Sequence, residues 1–112
     1  MTAMASLPQS TKKSLTQTLQ THAREHWPQL TDLQVRFRGQ FAYIDGATAE
    51  DEHALPLCRL RYLGSASTWG FGLYLASSDK YEDQILPTGS FTGTATDALD
   101  CACSLYLAGP AL

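Results

Sequence analysis

Residues 33–44 read LQVRFRGQFAYI. Leu33, Val35 and Phe37 alternate with Gln34, Arg36 and Arg38, the period-two pattern of a strand with one face buried. Gly39-Gln40 then makes a two-residue turn, with glycine where a type II′ turn needs positive φ. The chain returns through Phe41, Ala42, Tyr43 and Ile44. This stretch predicts a β-hairpin, and the segments on either side are read against it.

Before the hairpin, Leu15, Leu19, Ala23 and Trp27 recur every four residues, with His22 and His26 beside them. Polar residues fill the other positions, so the spacing predicts an amphipathic helix over 10–26. Ser10 is the predicted cap, and Pro28 marks the end, because the residue before a proline avoids helical geometry. Residues 1–9 read as a flexible tail and 10–112 as a single domain.

After the hairpin, ATAEDEHALP (47–56) is a polar, acidic loop. A third strand is predicted at 57–63, with Cys58, Leu60 and Tyr62 facing one way and Arg59 and Arg61 the other. GSAST supplies a turn. A fourth strand at 69–76 sets Trp69, Phe71, Leu73 and Leu75 against Gly70, Gly72, Tyr74 and Ala76. SSDKYEDQILPTGSFTG (77–93) reads as loop or a short helical turn. A second helix follows, with Thr94 and Asp97 resembling a capping box and Leu99, Ala102, Cys103 and Tyr106 as its stripe. Gly109-Pro110 ends it.

The expected fold is therefore α+β: a two-layer domain whose four-stranded antiparallel sheet carries the N- and C-terminal helices on one face, in the order α-β-β-β-β-α. The other face would carry Gln34, Arg36, Arg38, Arg59, Arg61, Gly70, Gly72 and Tyr74. Four of the five arginines lie in that set, although the formal net charge is −3. A basic sheet is thus set within acidic surroundings. Guanidinium groups beside a glycine track suit a phosphate, a carboxylate or an acidic protein segment. Solvated arginines whose stems shield apolar surface explain the same pattern without a ligand.

Net acidity argues against bulk attraction to nucleic acid. Three cysteines, Cys58, Cys101 and Cys103, give no paired framework and fit a reducing, cytoplasmic setting. No apolar run approaches the roughly 20 residues of a membrane helix. MTAMASLPQSTKK lacks an apolar core of signal-peptide length. No cofactor is expected.

Several motifs offer chemistry. His22-Ala23-Arg24-Glu25-His26 fits H-x-x-E-H, in which two histidines share a metal and the glutamate serves as base. A third ligand would have to come from elsewhere, and packing or helix-end charge explains both histidines. Cys101 and Cys103, two apart on a helix, point to nearly opposite sides; Cys103 is expected in the core and Cys101 as a partly exposed thiol. A Cys58–His53 pair is only a minimal start on nucleophilic catalysis. WGFG lacks the phosphate-loop pattern. Asp79, Lys80, Tyr81, Glu82 and Asp83 gather in one loop, a cluster that could contact a partner and that solvation also explains.

FRGQFAYIDG (37–46), LPLCRLRYLGSASTWGFGLYLASSDKYEDQILPTG (55–89) and ALDCACSLYL (98–107) resemble a family of small uncharacterised bacterial proteins. The resemblance implies one compact domain and no particular activity. The element order is also similar to that of the double-stranded RNA-binding domain. That fold uses three strands and opens its second helix with basic residues, where this chain has the acidic GTATDALD (93–100).

The readings to test are a non-catalytic binding or accessory protein whose arginine face holds an acidic protein segment, a nucleic-acid binder using that face with Tyr43 or Tyr74 stacking on bases, and a small metal-dependent hydrolase built on His22, Glu25 and His26. Oligomeric state is left open.

Overall fold

The computed structural model describes residues 7–48, 54–65, 67–75, 78, 80–86 and 89–104. The hairpin forms as its alternation demands. Strands β1 (Leu30–Arg38) and β2 (Phe41–Thr48) pair antiparallel, Arg38 stands opposite Phe41, and Gly39 takes φ +61°. Strand β3 (Leu55–Tyr62) pairs with β2, and β4 (Trp69–Leu75) with β3. The acidic 49–53 and the turn residue 66 lie outside the described residues, as do Ala76 and Asp79.

The expectation of four strands is corrected. Among the described residues the sheet has six, in the order β1-β2-β3-β4-β5, with β6 also on β4. Strands β5 (Lys80–Asp83) and β6 (Thr92–Gly93) come from the stretch read as loop, and both pair antiparallel with β4. Neither has an apolar period of its own: β5 is KYED, and β6 is two residues long. Both form because β4 offers an edge whose main-chain groups need partners. Between them in sequence, Leu86 belongs to the core at 2% exposure.

Helix α1 spans Gln9–His26 and buries Thr11, Leu15, Leu19 and Ala23. Its first turn follows Pro8, with no side-chain cap, so Ser10 lies inside the helix rather than capping it. Leu7, placed in the tail by the sequence, is 5% exposed and belongs to the core. The helix stops at Trp27, whose N–H still bonds to the Ala23 carbonyl at 2.7 Å. Helix α2 (Ala95–Cys103) starts as expected: Thr94 Oγ1 accepts from the Asp97 N–H at 3.1 Å. Tyr106 and Gly109-Pro110 lie outside the described residues.

The two helices flank the sheet and touch each other, α1 against β1 and α2 against β3 and β4. One apolar cluster joins them to Leu33, Ala42, Ile44, Cys58, Leu60, Phe71 and Leu73. Leu19, Ile44, Leu60 and Leu99 are fully buried. Burial of each such side chain contributes about 2 kcal/mol. Among the described residues no helix is long and apolar enough to cross a membrane.

Candidate functional site

The positions alternating with the apolar cluster line up in two cross-strand rows. One runs Arg36, Tyr43, Arg59, Gly72, Asp83 from β1 to β5. The other runs Arg38, Phe41, Arg61, Gly70, Thr92 from β1 to β6. The four arginines share this face, but none stands directly opposite another. An aromatic residue separates each pair, which keeps like charges apart, and Arg36 and Arg59 each lie against a ring.

The rows differ in how their charge is met. Arg36 donates to Asp45 through Nε at 2.7 Å and Nη2 at 3.2 Å, and its guanidinium lies 5.5 Å from the Tyr43 ring. The hydrogen bond to Asp45 raises the Arg36 pKa. Arg59 sits over Phe41 at 4.7 Å and Tyr81 at 5.6 Å, with Asp83 at 3.6 Å. Arg38 and Arg61 are exposed, and neither forms an ion pair with a described residue.

The glycine track is where the arginine stems lie. A Cβ on Gly72 would stand 3.4 Å from Arg59 Nε, and one on Gly70 would stand 3.3 Å from Arg61 Cβ. A methyl at Gly70 would press on the Arg61 stem, whereas one at Gly72 would make ordinary contact with the Arg59 guanidinium. The track is therefore largely covered by the chain itself; Gly72 is buried.

Tyr81 closes the Gly72 end of the face. Its ring lies 5.3 Å from Tyr43 on β2 and 5.2 Å from Tyr74 on β4. Strands β3 and β4 separate β2 from β5, and at about 4.8 Å per strand the two rings must lean toward each other across the sheet. Burial, then the Asp45 carboxylate, raises the Tyr81 phenol, opposed by Arg36.

The sequence reading missed Phe41, Asp45, Tyr81 and Asp83 here. Alternation with Ala42 and Ile44 was enough to place Phe41. Tyr81 and Asp83 stood out only as part of a charged loop, because the stretch holding them carries no strand period that would place them on this face.

The H-x-x-E-H residues are used differently. His22 Nε2 and Asp100 Oδ1 are 2.8 Å apart, and the same oxygen accepts from Trp27 Nε1 at 2.8 Å. Asp100 thereby ties α1 to α2. His26 stacks near His22, ring centroids 4.3 Å apart, and Glu25 is exposed. No group of three His, Cys, Asp or Glu among the described residues is arranged to hold a metal. Cys58 and Cys103 are buried and Cys101 is partly exposed. His53 lies outside the described residues.

No protein-family model matches this chain, and neither curated proteins nor solved structures give a match.

Proposed function

We propose that the chain is a non-catalytic binding or accessory protein that holds an acidic protein segment on the sheet face bearing Arg36, Arg38, Arg59 and Arg61. The observation that carries this reading is the row Arg38, Phe41, Arg61: two exposed guanidinium groups that form no ion pair with a described residue, flanking one aromatic residue. Each can fork onto a carboxylate, while Phe41 offers apolar contact between them. Arg36 and Arg59, already engaged by Asp45 and Asp83, order the rings behind that row. Gly70 and Gly72 keep the surface low, and Tyr74 borders it.

Titration with a labelled glutamate-rich peptide tests the reading. Arg38→Ala combined with Arg61→Ala is expected to weaken binding about tenfold or more, because interface arginines commonly carry such losses. Equal affinity for wild type and the double variant overturns it.

A second reading, single-stranded nucleic acid, is favoured by the Tyr43, Tyr81 and Tyr74 rings meeting on the same face. Such a complex would weaken steeply with salt, and the double variant would flatten that slope. Failure to bind DNA or RNA at low salt removes it.

A further inference from the structure

Strand β1 ends the sheet, and among the described residues no strand pairs with its outer edge. The two-residue turn makes Arg38 and Phe41 a hydrogen-bonded pair. By alternation Arg36 and Gln34 also bond to β2, while the main-chain groups of Leu33, Val35 and Phe37 point away from it. Gln20 agrees with that direction, since its Nε2 donates to the Leu33 carbonyl at 3.2 Å from α1. No described residue bonds to the outward main-chain groups of Val35 and Phe37.

The pairing of β1 with β2 runs without a shift from Asp32 to Arg38, and Val35 is the midpoint of that run. We propose that a second copy of this chain pairs antiparallel with this edge, about a two-fold axis at Val35. The axis sets Val35 opposite Val35, Leu33 opposite Phe37, and Asp32 opposite Arg38 of the second copy. Each outward N–H then meets an outward carbonyl, and Gln20 yields the Leu33 oxygen to the incoming Phe37 N–H. The half-buried Val35 and Phe37 gain cover on the apolar side. On the other side, exposed Asp32 meets exposed Arg38 at both ends, and Gln34 meets Arg36. No like charges oppose each other in this register.

The edge is also of the kind that chains usually cover or blunt. It is nine residues long, lacks proline and carries no charge at its inward positions. At the other end of the sheet, β5 is four residues and mostly charged. Self-pairing is isologous, so every contact is made twice. The paired length is short for a standard interface of about 1,600 Å². Association therefore depends on concentration.

Sedimentation equilibrium over a wide concentration range tests the pairing. The wild-type mass is expected to rise from 12.2 kDa toward its double. Asp32→Arg alone and Arg38→Asp alone should each weaken dimerisation about tenfold or more, by opposing like charges at both ends. The two together should restore it. Val35→Pro, which deletes an outward N–H, should leave a folded monomer by circular dichroism. Arg61→Ala, which touches only the acidic-segment reading, should leave the mass unchanged. A wild-type chain that stays monomeric at every concentration overturns the proposal. So does a dimer indifferent to both single charge reversals.

Discussion

Arg36 on β1 grips the Asp45 carboxylate on β2 with both Nε and Nη2, and Asp45 is only 7% exposed. The pair is diagonal across the first two strands. Without Arg36, the Asp45 carboxylate would be buried with no cation beside it. Removing the arginine leaves that charge stranded, which costs more than the pair itself contributes. Arg36→Gln is expected to lower unfolding free energy by about 1–3 kcal/mol, whereas Arg38→Gln should change it by less than about 0.5 kcal/mol. Urea denaturation of both variants checks this. Equal effects would mean that Asp45 does not depend on Arg36.

Asp100 should behave as an interhelical tie. Its Oδ1 meets both His22 and Trp27, so Asp100→Ala frees two donors at once. The expected loss is about 1–3 kcal/mol. A double-mutant cycle between His22→Ala and Asp100→Ala should give a coupling of at least about 0.5 kcal/mol. Additive effects would show that the two side chains stabilise the helices independently. Zinc should not raise the melting temperature, since His22 is engaged by α2; a clear rise would revive the metal reading.

Leu86 lies close against Gly93 of β6. A Cβ on Gly93 would fall 2.6 Å from Leu86 Cδ1, inside any tolerable contact. Gly93→Ala must therefore push a buried leucine out of place, at about 1–3 kcal/mol. Leu86→Ala should cost about 2–5 kcal/mol by leaving a cavity. In the double variant the penalties should be less than additive, because the truncated side chain leaves room for the new methyl. Thermal melts of the three variants measure it, and strict additivity would count against the contact.

The thiols should separate by reactivity. Burial pushes Cys103 up to about 12 and raises Cys58 further, while the partly exposed Cys101 is raised by burial alone. Alkylation near pH 8 should modify Cys101 first and reach the other two only on unfolding, as peptide mapping by mass spectrometry would reveal. The stability consequence has a definite sign. Above about pH 9 the unfolded chain releases thiol protons that the native state retains, so stability should fall as pH rises from 9 toward 12. Rapid labelling of Cys58 in the native protein would contradict the buried assignment.

Alternation and spacing exposed much of this fold. Leu33, Val35 and Phe37 fixed a strand, Gly39-Gln40 its turn, and Leu15, Leu19 and Ala23 a helix, because each pattern matches the repeat of one backbone geometry. Thr94 and Asp97 announced the second helix by local chemistry, and the main-chain bond to Thr94 forms. Ser10 carried a similar signal, yet α1 starts one residue earlier, after Pro8. A cap preference is weak beside the burial of Leu7, which draws the chain onto the core before Ser10 is reached.

Sequence by itself determined the α+β class and the side of each strand on which the arginines stand, since both follow from periods of two and of nearly four residues. Only tertiary structure decided that KYED becomes a strand, that Phe41 and Tyr43 separate the arginines, and that Asp45, Asp83 and Tyr81 engage Arg36 and Arg59. Those outcomes depend on which strands become neighbours and in what register. That is settled by closing loops and burying one shared apolar layer, a property of the whole chain that no local pattern encodes.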